Sequence, residues 1–335
     1  MKKFSVLVVF MLILQLFLPL TQTVNAEQEK ESELLNYLAL GDSLAAGMNE
    51  KSEIGLGYAD LIAKSYMDEQ EGIQFNKGFS YPGYTTVNVL NDIVENVTKP
   101  MYDLNGQSEK TASIKQAIQE ADLITLSVGA NDILKYVTRS ETGSITFDAA
   151  GVLKGVQEVS SNYDKIFKTI YSINPNVDII VMGLYNPFPA IQDPVIQTQL
   201  NMLVTTINNS IKNIVETNKG IFSEVAQLIA ADSKAYLPNP ANIHLSEAGY
   251  KVVADTMMND YLNAIIKELE DTISEEEIKE APFQDTKNHW GKEYIDIAYT
   301  KGFMNGFEDG SFKPNTNMTR AQVLSVISRA FELTA

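Results

Sequence analysis

The residues able to do acid–base or nucleophilic chemistry near neutral pH are few. The chain has two histidines, His244 and His289, and no cysteine. An imidazole base must therefore be one of these two, and a side-chain nucleophile must be an oxygen rather than a thiolate. His244 lies in PNPANIHLSEAGY, a Pro- and Asn-rich stretch just ahead of a helical pattern, where an imidazole faces a cleft more readily than a core. Ser43 lies in LALGDSLAAG, where a β-type run gives way to a turn. Gly41 and Gly47 let the backbone turn closely there, and amides at the start of a following helix point outward and can hold negative charge. Two more runs end in turns with useful donors. In NKGFSYPGYTT, Gly83 follows Pro82 and offers an unobstructed backbone N–H. In ADLITLSVGAND, Asn131 and Asp132 follow Gly129, and a side-chain amide in that place can donate to a developing oxyanion. Each stretch alone also reads as an ordinary turn or helix cap. Their joint occurrence, at the ends of different runs, is what makes them a candidate site.

The elements that must position these residues are short β-type runs alternating with amphipathic stretches from about Leu35 to Leu269. The runs are Tyr37–Leu40, Gln74–Phe79, Leu123–Val128, Val177–Met182 and roughly Ile221–Val225. After His244, the residues Tyr250, Val253, Ala254, Met257, Tyr261 and Ile265 share one helical face. Such alternation predicts a mostly parallel sheet covered on both sides, an α/β fold with its site at the carboxyl ends of the strands.

In order along the chain, the four stretches resemble the blocks of the SGNH or GDSL family of serine esterases and lipases, over residues 35–269. The resemblance implies a three-layer α/β/α sandwich with a five-stranded, flavodoxin-like sheet. It implies Ser43 as nucleophile, His244 as base, an oxyanion hole from Ser43, Gly83 and Asn131, and no cofactor or metal. The glycine block departs from the pattern, since Gly78 and Gly83 are spaced more widely than the family's usual gap. A second departure concerns the acid. The family keeps Asp three residues before its histidine, and that residue here is Ala241. His244 Nδ1–H still needs an acceptor to fix its tautomer. Asn242 offers only an uncharged amide oxygen, Asp232 and Glu247 are near in sequence, and a backbone carbonyl from residues 239–241 is the favoured acceptor, giving a Ser–His dyad.

The remaining sequence concerns location. Lys2 and Lys3 precede an apolar run from Phe4 to Leu20, and Val24-Asn25-Ala26 suits signal peptidase, so residues 1–26 are expected to be a secretory signal peptide. No cysteine follows to carry a lipid. The formal charge of −17, from 26 basic and 43 acidic residues, disfavours nucleic acid and any wall or membrane attachment by charge alone. Residues 34–269 are the expected hydrolase domain and 270–281 an acidic linker. Residues 282–335 resemble one S-layer homology (SLH) module through Phe283-x-Asp285, His289-Trp290, Ala298, Gly302, Gly306, Asp309-Gly310-x-Phe312-x-Pro314 and Thr319-Arg320-Ala321, with Gln322 where the family favours Glu. Ile295, Ala298 and Tyr299 make one helical face of this small, mainly helical module, and Val323, Ile327 and Ala330 another. The resemblance implies a secondary cell-wall polysaccharide as partner, with Arg320, Trp290 and Asp285 as candidate contacts, and self-association because such modules pack in threes. The expectation is a secreted, wall-tethered esterase of a Gram-positive-type bacterium, of lysophospholipase or short-chain acyl type. An O-deacetylase of wall or extracellular glycans and a non-catalytic binder of acylated polymers are the alternatives.

Overall fold

The computed structural model describes residues 35–68, 73–102, 104, 106, 110–140, 145–271, 278–307 and 309–316. The expected signal peptide, Arg320 and the Val323–Ala330 face lie outside the described residues. Five parallel strands form the central sheet: β1 (Leu35–Gly41), β2 (Ile73–Ser80), β3 (Leu123–Ser127), β4 (Asp178–Met182) and β5 (Ile221–Ser223), in spatial order β2-β1-β3-β4-β5. These are the five runs read from the sequence, each shifted by a residue or two at its ends. The inner strands read clearly because a parallel strand covered on both faces is largely apolar, as in LITLS and DIIVM, whereas the edge strand β2, IQFNKGFS, carries Gln74, Asn76 and Lys77. The strand order reverses between β1 and β3, and a crevice opens at the carboxyl ends of strands at such a point.

The main helices are α1 (Ser43–Ala46), α2 (Tyr58–Asp68), α3 (Thr86–Glu95), α4 (Ile114–Glu120), α5 (Ala130–Leu134), α6 (Ala149–Ile173), α7 (Pro194–Thr217), α8 (Ala226–Ala231), α9 (Ser233–Tyr236), α10 (Glu247–Asp271) and α11 (Lys292–Thr300). Alternation sends Leu38, Leu40, Ile124, Leu126, Ile179 and Val181 to one face, where Ile93 of α3, Ile118 of α4, Val159 and Ile166 of α6 and Ile211 of α7 complete one apolar core. On the other face Tyr37, Ala39 and Thr125 are equally buried, with Tyr58 and Tyr66 of α2 beside Tyr37. All six residues of the α10 face are buried, as their spacing predicts, and Tyr261 donates to Asp178 at the start of β4.

The chain divides into two compact units, with the break after Tyr261, inside α10. The expected boundary at residues 269–270 falls later in the same helix, which continues unbroken to Asp271. In the second unit Phe283 packs edge-on against Tyr299 and tilted against Phe312, with Ala281 and Ile295 beside them. Gly306 has φ +71°, and a Cβ there would lie 2.3 Å from the Phe283 ring, so this position admits only glycine.

Candidate functional site

β1 ends at Gly41 (φ +141°), where a Cβ would stand 2.0 Å from the Ser127 carbonyl. Only glycine lets the ends of β1 and β3 lie this close, and Asp42 N–H then donates to Ser127 O at 2.8 Å. The Asp42 carboxylate caps α1 by accepting from Leu44 N and also receives Ser127 Oγ–H. Ser43 is thereby fixed as the first residue of α1, at the switch point. Burial pushes Asp42 up to about 7, against the hydrogen bonds that favour its charged form.

His244 reaches this serine from the other end of the chain. Its Nε2 is 2.8 Å from Ser43 Oγ, and its Nδ1 is 2.6 Å from Asn242 Oδ1. The orientation of the Asn242 amide follows from the His244 backbone N–H, which only donates, and the Glu50 carbonyl, which only accepts. The His244 backbone N–H donates to Oδ1, while Nδ2 donates to the Glu50 carbonyl and to Ser52 Oγ. With Oδ1 facing Nδ1, the proton must sit on Nδ1, and Nε2 is free to accept the Ser43 hydroxyl. The acceptor is thus a side-chain amide, and the expected backbone carbonyl of residues 239–241 does not fill that role. Asp232 is also occupied elsewhere, capping α9 through Ala235 N. Burial lowers the His244 pKa below its usual value, and no neighbouring carboxylate raises it.

The loop carrying His244 is fastened at several points. Asn239 Nδ2 donates to Glu50 O, Tyr185 Oη to Ile243 O, and Arg139 Nη1 to Pro240 O. The loop after β1 that supplies Glu50 and Ser52 rests on a buried ion pair: Asp60 bonds Lys77 Nζ at 2.6 Å and also accepts from Gly57 N.

Asn131 is the second residue of α5, after Gly129 (φ +120°). One of its Nδ2 hydrogens goes to Tyr84 O at 2.9 Å, which leaves the other for a ligand. Its neighbour Asp132, which the sequence leaves as a helix-cap candidate, is buried and accepts from both Thr86 N and Thr86 Oγ1. Asp132 therefore ties the Asn131 turn to the start of α3, just beyond Gly83. Gly83 itself has φ +83° and open space where a Cβ would be, and the turn it occupies is anchored by Tyr81 N on Gly41 O. Ser43, Asn131 and His244 line one cleft, while Gly83 stands in the adjacent turn outside the lining residues. Most of the remaining lining is apolar and includes Leu134, Val137, Leu184, Phe188, Leu200 and Leu203. A hydroxyl paired to a correctly protonated imidazole, beside an amide donor and an apolar cleft, can attack an acyl carbon and hold the resulting oxyanion.

The sequence profile of the GDSL-like Lipase/Acylhydrolase family matches residues 39–252. The chain belongs to this family. The S-layer homology domain profile matches residues 282–324, so the hydrolase domain is followed by an SLH domain. The hydrolase domain is 26% identical over 168 residues to the uncharacterized protein YpmR of Bacillus subtilis (strain 168), covering 49% of this chain and 56% of that protein. The SLH region is 33% identical over 49 residues to a cellulosome-anchoring protein of Acetivibrio thermocellus, covering 15% of this chain and 11% of that one. The chain thus spans about half the length of the first relative and little of the second. Among solved structures, the lipase Lip_vut3 from a goat rumen metagenome shares the fold, at 21% identity and a TM-score of 0.51, over 68% of this chain and 97% of that one.

In the SLH domain, Trp290 is 83% exposed and its ring lies against His289. Asp285 is otherwise engaged: its carboxylate accepts from Phe312 N and Lys313 N. These two bonds fasten the turn at Phe312 and Lys313 to the segment that carries Asp285.

Proposed function

We propose that the protein is a serine esterase held at the bacterial cell surface by its SLH domain. The observation that carries this reading is the continuous chain Ser43 Oγ–His244 Nε2, His244 Nδ1–Asn242 Oδ1, at 2.8 and 2.6 Å. In this reading His244 takes the Ser43 proton as Oγ attacks the ester carbon, and the Ser43 and Gly83 amides and Asn131 Nδ2 hold the oxyanion. The imidazolium then gives its proton to the departing alkoxide, leaving an acyl-serine. Water, deprotonated by the same His244, releases the acid.

The lining of the cleft supports an acyl chain longer than acetyl. Acetate would leave most of its leucine, valine and phenylalanine surface facing water, whereas each buried methylene contributes about 0.8 kcal/mol. A p-nitrophenyl ester series from acetyl to dodecanoyl tests this, with kcat/KM expected to rise beyond acetyl and Ser43→Ala to abolish it. A maximum at acetyl would favour an O-deacetylase instead. The exposed Trp290 supports the SLH domain as the contact to a wall polysaccharide, since an aromatic face packs on sugar rings.

A further inference from the structure

The apolar cleft accounts for the acyl half of a substrate and leaves the alcohol half without a place. The mechanism says where that half must lie. His244 protonates the leaving oxygen, so the alcohol departs on the histidine side of Ser43. A second, more polar hollow lies against the segment that leads into His244, lined by Asn242, the partner of His244 Nδ1. Pro187 and Phe188 line both spaces, and Leu237, Asn239, Pro240 and Asn242, from the segment that leads into His244, line the second.

The charged groups of this hollow are Arg139 and Asp193. Asp193 is the N-cap of the long helix α7, where its Oδ1 accepts from Val195 N and Ile196 N. The positive end of that helix offsets its charge. Arg139 has no such compensation. Its guanidinium gives one hydrogen bond, to the Pro240 carbonyl at 2.7 Å, and no carboxylate among the described residues pairs with it. The chain is strongly acidic and has three arginines, of which Arg139 is the only one before residue 320. That single guanidinium stands at the edge of the alcohol side, held by the backbone next to the catalytic loop, with N–H groups still open. A planar donor fork of this kind matches phosphate or carboxylate oxygens.

We infer that this hollow is the alcohol subsite, and that it selects esters whose alcohol carries an anionic group, phosphate or carboxylate, bound by Arg139. This inference rests on the esterase reading and narrows it. The substrate then has an apolar acyl chain in the cleft and a polar, negatively charged alcohol on the Arg139 side. Two sources present that chemistry, a single-chain lipid with an anionic headgroup and an acylated anionic wall polymer.

The test compares 1-octanoylglycerol with 1-octanoylglycerol 3-phosphate, which differ only in the phosphate. For the full-length protein, kcat/KM should be about ten-fold higher for the phosphate ester, and the ratio should fall as salt is raised. Arg139→Gln removes the charge, its amide stopping two bonds short of the Nη1 position, and should bring the ratio close to one. Arg139→Lys should keep most of it. Octanoylated poly(glycerol phosphate) as a third substrate tells polymer from lipid by whichever is turned over faster. Equal kcat/KM for the two glycerol esters, or an unchanged ratio in Arg139→Gln, would overturn the inference. If no ester is hydrolysed at all, the esterase reading fails. Calorimetric binding of the non-hydrolysable octanyl ether analogues, with and without phosphate, then decides the subsite separately.

Discussion

Asn242 stands where an acid would complete the serine–histidine pair, and replacing it gives a result that a merely structural residue would not. Its Oδ1 receives both the Nδ1–H and the backbone N–H of His244. In Asn242→Ala the imidazolium formed during reaction loses its acceptor. A hydrogen bond to a charged group contributes about 1.5–3 kcal/mol, so kcat should fall by about 10- to 100-fold with KM little changed. Asn242→Asp acts through charge. Two unit charges about 4 Å apart at an effective dielectric near 20 interact by about 4 kcal/mol. Partial exposure of both groups reduces this to about 1–2 kcal/mol, or about one pKa unit. The free imidazole is the active form, so kcat/KM rises with pH through the His244 ionisation. In the wild type that midpoint lies below the usual histidine value, because burial lowers it. Asn242→Asp should move the midpoint up by about one unit, and at pH 8 should keep or exceed wild-type kcat, since a full charge then faces the imidazolium. The assay is a pH–rate profile on a soluble p-nitrophenyl ester for the three proteins. A wild-type kcat in Asn242→Ala, or an unmoved midpoint in Asn242→Asp, would refute the role given to Asn242.

Three further outcomes follow from the geometry. Asn131→Ala should lower kcat by about 10²–10³ with little change in KM if, as proposed, its second amide hydrogen serves the oxyanion rather than the bound ester; steady-state kinetics checks the split. Asp42 is an acid whose folded-state pKa is raised to about 7, so it adds no pH-dependent penalty while protonated in both states and destabilises the fold increasingly as pH climbs from about 4 to 7. Asp42→Asn should flatten that decline in urea unfolding measured across the same range, and a parallel decline in both proteins would contradict it. Deleting residues 282–335 should release the protein from wall preparations and leave turnover of a soluble ester unchanged, as read by a sedimentation assay and kcat.

Much of this arrangement is legible in the sequence because its signals are local. The inner strands β1, β3 and β4 are short, mainly apolar runs bounded by turn residues, and the buried face of α10 repeats at helical spacing. Gly41 announces itself by standing before Asp-Ser at the end of a run, and the structure supplies the reason, the Ser127 carbonyl that would strike any Cβ. What was not legible depends on contacts between distant segments. The partner of Nδ1 is set by an Asx turn from Asn242 to His244 N, and an Asn two residues before a candidate base was the available signal. The turn alone does not say which way the amide faces. That depends on Glu50 O, almost two hundred residues away in the chain. Asp132 likewise reads as a helix cap until Thr86 is placed against it, and Arg139 carries no motif at all.

The central claim is that Ser43 is a nucleophile activated by His244. Its most direct measurement is stoichiometric labelling with a fluorophosphonate, followed by peptide mass analysis. The account predicts one phosphonate per chain, on Ser43, with labelling slowed by orders of magnitude in His244→Ala and absent in Ser43→Ala. A wild-type protein that stays unlabelled, or that is modified equally fast with His244 removed, would contradict it.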